Sequence, residues 1–213
     1  MTVPQPIHDP ETHLERKSVL RDLWKQFTSL EYGLVLQGPN VVVSGLWDFF
    51  TRALTGAPMI RYSQITPQII VAGQYQKRGW KVLTERGITA SINMRSEFDD
   101  EAAGIAPSRH LRLSVEDNTP PTIDQLRRGI MFIKEEVERG GNVYILCAAG
   151  SGRAPTMAAA YLVSTGLTPV QAWAMIKRVR PFVRPTPGQE AQIKVLAEEF
   201  MPQVENTSLT SSR

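Results

Sequence analysis

Cysteine is nearly missing from this chain: Cys147 is the only one in 213 residues. A lone thiol excludes an intramolecular disulfide framework and any multi-cysteine metal site. Histidine is also scarce. Of the three present, His8 and His13 sit in the polar N-terminus, and the spacing offers no zinc site. Long apolar runs are absent too. The most apolar early stretch, residues 34–50, is broken by Gln37, Gly38, Pro39, Asn40 and Asp48. A membrane span needs about 18 uninterrupted apolar residues, so none is expected. The opening MTVPQPIHDPETHLERK lacks the apolar core of a secretion signal. These absences lead to the expectation of a soluble, cytoplasmic protein in a reducing compartment. Strong charge of one sign is missing as well. The net charge of +3 is compatible with an anionic ligand and does not argue for nucleic acid.

What is present reads as a globular chain. Hydrophobic residues make up 42% and charged residues 21%, which excludes a wholly disordered protein. The length fits one domain with an added N-terminal segment. We divide it into a helical extension over 1–60, a catalytic domain over 61–202 and a disordered tail over 203–213. In the extension, Asp9-Pro10 reads as a helix start, and Leu20, Leu23, Trp24, Phe27 and Leu30 recur at helical spacing. Gly38-Pro39-Asn40 reads as a turn. Ser44 reads as the cap of a short helix carrying Leu46, Trp47, Phe49, Phe50 and Leu54. That apolar face suits packing on the main domain, with contact to a membrane or partner as the alternative.

From residue 61 strands alternate with helices. Strands are predicted over 69–72, 88–94, 110–115 and 142–146. Helices are predicted over 77–86, 122–139, 154–165 and 168–178, with a last one opening at Pro187 or Gly188 and ending near Phe200. Thr122 caps its helix, and Gly140-Gly141 ends it. This alternation implies an α/β fold with a mainly parallel central sheet flanked by helices.

The informative segment is Cys147-Ala148-Ala149-Gly150-Ser151-Gly152-Arg153, between an apolar strand and a helix start. Two alanines and two glycines leave little side-chain bulk, so backbone N–H groups can converge on an anion. The following helix adds its unsatisfied N–H groups and positive dipole end. Arg153 supplies planar, paired donors to phosphate oxygens. Such surroundings lower a thiol pKa from about 8.5 toward roughly 3.5–7.5. The chemistry that needs this set is thiolate attack on phosphorus. The leaving oxygen then needs a proton. Asp117 is the candidate donor, because it follows a strand and opens a turn where loops gather beside the ligand. Glu116 is the alternative acid. Asp99, Asp100 and Asp124 read as helix-cap or solvated residues. Arg95 either lines the site or pairs with Glu97 or Asp99. The basic run Lys177, Arg178, Arg180 and Arg184 reads as a solvated helix face plus a loop, with attraction of acidic substrates as the alternative.

Cys-x5-Arg with an aspartate about 30 residues upstream resembles the dual-specificity branch of the protein tyrosine phosphatase superfamily. The segments SQITPQIIVAG, INMRSEFDDEAAG and VEDNTPPTIDQLRRGIMFI agree with it, and the resemblance covers roughly residues 61–200. It implies a tyrosine-phosphatase-like fold. It implies Cys147 as nucleophile, Arg153 as phosphate clamp and Asp117 as general acid. Ala148, Ala149, Gly150, Ser151 and Gly152, together with Arg153, would bind phosphate. The implied substrates are phosphorylated proteins or other phosphomonoesters, with phosphotyrosine and also phosphoserine or phosphothreonine hydrolysed through a phosphocysteine. The resemblance implies no metal and no organic cofactor. No nucleic-acid partner and no transmembrane segment are expected from charge and hydropathy, while the N-terminal region leaves peripheral membrane contact open.

Two positions depart from the family. Leu146 stands where a histidine usually precedes the nucleophile, and Ala154 where a serine or threonine usually follows the arginine. The GRAP version of the loop resembles glucan phosphatases of the same branch. Were the thiol pKa held near ~7, about half would be ionised at neutral pH, a loss of around twofold. Misplacing the loop by about 1 Å could cost on the order of 100-fold. A slowed enzyme is therefore the expectation. A phosphate-binding module without turnover and a lipid or glucan phosphatase are the alternatives.

Overall fold

A computed structural model describes residues 39–200. The expected helix over the first thirty-odd residues and the expected tail beyond 202 lie outside the described residues.

Four short segments form the sheet. They are β1 (Ile69–Gly73), β2 (Ala90–Arg95), β3 (His110–Val115) and β4 (Val143–Cys147). Their spatial order is β1-β4-β2-β3, and every pairing is parallel. β4 is central, with Cys147 opposite Gly73 at the end of β1. Every residue of β1, β2 and β4 is buried, because helices or loops cover both sheet faces. That two-sided burial is why these strands read as continuous apolar runs without alternation.

Side chains still alternate between the faces. Ile69, Val71, Val143, Ile145 and Cys147 point into the larger core. Ile70, Ala72, Tyr144 and Leu146 enter a smaller one with Tyr75, Leu83, Ile88 and Ile105. The thiol and its predecessor Leu146 thus belong to opposite sides of the sheet.

The helices are α1 (Pro39–Thr55), α2 (Lys77–Glu85), α3 (Ile123–Glu138), α4 (Arg153–Ser164), α5 (Pro169–Val179) and α6 (Pro187–Ala197). Thr122, Thr168 and Thr186 each close a capping box with a glutamine three residues on. Such caps contribute about 1 kcal/mol apiece. α4 packs against α3, α5 and α6. Ten of its twelve residues are buried, among them Ala154, Ala158, Ala159 and Ala160. Small side chains let a helix be surrounded in this way.

Several expectations are corrected. Pro39 and Asn40 begin α1 and are not a turn. Proline suits the first helical turn, where its missing N–H costs nothing. Ser44 is no cap; it is buried inside α1, and its hydroxyl donates to Val41 O at 3.0 Å. β2 starts at Ala90 and not at Ile88, although Ile88 is buried. The last helix takes Thr186 as cap and ends at Ala197, short of Phe200.

α1 departs from an ordinary surface helix. Its polar residues Ser44 and Asp48 are buried, whereas Val43, Trp47, Phe50 and Leu54 are 50%, 57%, 54% and 76% exposed. The spacing of four, three and four places those apolar side chains on one face, turned outward. α1 packs against α2 through close backbone contact. A Cβ added to Gly79 would lie 1.9 Å from Gly56 O.

Candidate active site

Cys147 ends β4, and Arg153 begins α4. The five residues between them form a tight loop at the C-terminal edge of the sheet. Its carbonyls are held from outside, one after another. Ala148 O accepts from Gln74 N at 3.2 Å and, at 3.5 Å, from Arg52 Nη1. Ala149 O and Gly150 O accept from Arg180 Nη2 at 3.1 Å and Nε at 2.7 Å. Ser151 O accepts from Arg184 N at 2.7 Å. Gly152 O accepts from Thr156 N at 3.0 Å and from its hydroxyl at 2.9 Å. The N–H and C=O of a trans peptide point opposite ways. Carbonyls fastened outward therefore leave the N–H groups to face the loop's centre, as a phosphate site requires.

The sulfur lies there. Cys147 is only 3% exposed, yet its Sγ accepts from Gly150 N at 3.2 Å and so faces the loop. Gly150 has φ of +71°, and an added Cβ would lie 2.3 Å from Ala72 C, so glycine is required on both counts.

Arg153 is 1% exposed. Nη1 donates to Glu97 Oε2 and Val115 O, both at 2.8 Å, and Nη2 donates to Glu97 Oε1 at 2.8 Å. Asp117 Oδ1 stands 3.1 Å from Nη2. Arg153 Nε is buried and meets no acceptor among the described residues, which leaves a donor for an oxyanion. Burial works against this guanidinium's charge. Its hydrogen bond to Glu97 and the charges of Cys147, Glu97 and Asp117 outweigh burial and raise its pKa above the ordinary arginine value. Burial likewise pushes Glu97 up, but the bond from Arg153 and the charges of Arg153 and Arg95 bring it down to about 2. The ion pair thus persists through the neutral range.

The acid turn follows β3. Thr119 N and Oγ1 both donate to Glu116 O, at 3.3 and 2.9 Å, and Asn118 adopts φ of 63°. The turn brings Asp117 to Arg153. Gln189 Nε2, from the first turn of α6, donates to Thr119 O at 3.0 Å and ties the turn down.

The structure therefore brings Cys147, Arg153 and Asp117 together with residues 148–152. Ala154 is buried without a hydroxyl. Leu146 is fully buried in the smaller core. Sequence reasoning missed Glu97 as partner of Arg153, Gln189 as anchor of the turn, and Asp48, Arg52 and Arg180 behind the loop. The one available signal was Glu97's place in INMRSEFDDEAAG, two residues past Arg95. Of the two readings of Arg95, the pairing one is met: it is buried and pairs at 3.0 Å with the Glu97 that clamps Arg153. Two surface readings are corrected. Arg180 is fully buried, while Lys177 and Arg178 are exposed as expected. Asp100 is fully buried and accepts from Gln74 Nε2 at 2.8 Å, because its loop folds inward beside β1. Among the described residues no group of histidine, cysteine, aspartate and glutamate could hold a metal ion. No described helix is long and apolar enough to cross a membrane.

A family model described as "Dual specificity phosphatase, catalytic domain" matches residues 70–199. The human "Phosphatidylglycerophosphatase and protein-tyrosine phosphatase 1" is 38% identical over 96 residues, 44% of this chain and 46% of that protein. The rat protein of the same name is 36% identical over 92 residues, 42% of this chain and 48% of its own. The chain thus spans about half the length of these curated relatives. A crystal structure of PTPMT1 in complex with PI(5)P superposes with a TM-score of 0.58 at 25% identity, covering 64% of this chain and 94% of that one.

Proposed function

The chain belongs to the dual specificity phosphatase family, and from that premise we propose that it is a cysteine-dependent phosphatase of phosphate monoesters. One observation carries the reading: Cys147 Sγ faces a loop whose carbonyls are all fastened outward, with Arg153 at its end. The thiolate attacks phosphorus, the S–P bond forms, and the ester P–O bond breaks. Asp117 donates its proton to the leaving oxygen. Water then attacks the phosphocysteine, Asp117 takes up its proton, and phosphate leaves as the thiolate is restored. Ala148, Ala149, Gly150, Ser151 and Gly152 present N–H groups to the phosphoryl oxygens, and Arg153 adds its Nε, the donor left without an acceptor among the described residues. The test is hydrolysis of p-nitrophenyl phosphate by the purified chain. Cys147→Ser is expected to fall to background; equal rates would overturn the reading.

Phosphorylated proteins are the proposed substrates, phosphotyrosine first and phosphoserine or phosphothreonine with it, in the cytoplasm. The uncharged side chains of residues 148–152 suit a single phosphate. A second reading, a lipid phosphatase in peripheral contact with membranes, is favoured by the outward apolar face of Val43, Trp47, Phe50 and Leu54. The phosphatidylglycerophosphatase name of the human relative and the PI(5)P bound to PTPMT1 agree with it. A panel of phosphopeptides, phosphatidylinositol 5-phosphate and phosphatidylglycerophosphate separates the two. Vesicle sedimentation of the parent and of Trp47→Ser with Phe50→Ser tests the contact. A third reading, phosphate binding without turnover, is motivated by Leu146 and Ala154, and predicts bound phosphate with no release over hours.

A further inference from the structure

The family match begins at residue 70, so α1 lies outside it. Even so, α1 reaches the back of the phosphate loop. Asp48 is fully buried, and its Oδ2 lies 3.3 Å from Arg180 Nη2 and 3.5 Å from Arg52 Nε. Both arginines hold loop carbonyls. Arg180 directs Nε to Gly150 O and Nη2 to Ala149 O, while its Nη1 is fixed by Tyr62 O at 2.8 Å and Ser63 Oγ at 3.3 Å. Arg52 directs Nη1 to Ala148 O. It passes over Gly73, where an added Cβ would lie 2.0 Å from Nη1. Three successive loop carbonyls are thus gripped by two guanidiniums that share one carboxylate.

We propose that Asp48 and Arg52 of α1 are positioning residues for the phosphoryl-transfer step, setting the orientation of the 148–150 peptides through Arg52 and Arg180. This rests on reading residues 147–153 as the phosphate cradle. An unpaired guanidinium would be costly to bury at this depth, so Asp48 keeps Arg180 charged and aligned. The arrangement also addresses the missing histidine. Leu146 brings no polar atom to the smaller core, and the orientation of Ala148 O comes instead from Gln74 N and Arg52. Peptides rotated by a fraction of their hydrogen-bond geometry would turn N–H donors away from the oxyanion.

The test uses the full chain with two readouts, tungstate affinity by calorimetry and kcat/KM for p-nitrophenyl phosphate. Each variant is assayed well below its own melting midpoint. Arg52→Gln leaves the buried Asp48–Arg180 pair in place and removes the donor to Ala148 O. It is expected to weaken tungstate binding by roughly 10-fold and to lower kcat/KM by about 10- to 100-fold, the scale of a loop displaced by a fraction of 1 Å to 1 Å. Asp48→Asn is expected to do more, and Arg52→Lys, which retains the cation, to recover part of the loss. Leu83→Ala, which cuts into the smaller core away from the loop, serves as a control that lowers the melting midpoint without changing tungstate affinity. Parent-like tungstate affinity in folded Arg52→Gln overturns the proposal, as does an equal loss in Leu83→Ala. If Asp48→Asn does not fold, Arg52→Gln decides. A parent that binds tungstate without hydrolysing phosphate ends the phosphatase reading and leaves this one to the affinities. A parent that binds no tungstate overturns both.

Discussion

The phosphate loop and the acid turn stand side by side at the edge of the sheet and are built in opposite ways. The loop is anchored at each carbonyl from Ala148 to Gly152, and its end residues Cys147 and Arg153 are 3% and 1% exposed. Asp117's side chain is 36% exposed, and the turn is tied to the helical layer through Gln189. A site that stabilises charge gains most from donors fixed before substrate arrives. A proton donor must meet leaving groups of different size and give up a proton to each, which suits a surface turn. The comparison teaches that the oxyanion contacts are fastened at every carbonyl, while the acid stands on a part-exposed turn held through Arg153 and Gln189.

The largest expected effect comes from the turn. Asp117→Asn should lower turnover of an alkyl phosphate by roughly 10²–10⁴, and far less for p-nitrophenyl phosphate, whose leaving group needs no proton. Glu116→Gln should leave both unchanged; if it carries the loss instead, the assignment moves to Glu116. Gly150→Ala attacks the other side of the comparison. With φ of +71° and Ala72 in the way, it should displace the loop and cost on the order of 100-fold in kcat/KM for both substrates alike. Dependence on the leaving group would show that the loop is less rigid than its bonding implies.

The smallest effect concerns acid stability. Glu97 is held at about 2, below its ordinary 4.5, by the bond and charge of Arg153 against the pull of burial. The unfolded chain therefore binds this proton first as pH falls. The contribution of the Glu97–Arg153 pair is complete above pH about 4.5 and is lost as pH drops from there toward about 2. In Glu97→Gln the melting midpoint should start lower and fall less steeply across that window. A parent curve and variant curve of equal slope would remove Glu97 as the source.

Much of the fold was legible because it is written locally. The alternation of β-rich runs with capped helices lies in contiguous residues, and so does the cradle, whose seven members are consecutive. Asp117 could be placed because it follows a strand that ends on the ligand side of a parallel sheet. What could not be read is charge that is buried by distant partners. Arg180 meets Asp48 across 132 positions and Arg153 meets Glu97 across 56, and periodicity gives no hint of either. A basic run therefore read as surface, although its central arginine sits behind the phosphate loop. α1 misled for a related reason. Ser44 and Asp48 face inward while Val43, Trp47, Phe50 and Leu54 face outward, so a rule that turns every hydrophobic residue toward the core misorients it. Gly-Pro-Asn carries both a turn signal and a helix-start signal, and the helix prevailed.

The burial of α4 on nearly every side has a kinetic consequence. Its backbone amides have few routes to solvent short of opening the whole helical layer. Hydrogen exchange there should report global unfolding, whereas the amides around Asn118 should trade with water through small local openings. The helix behind the cradle and the turn that carries the acid would then live on separate clocks.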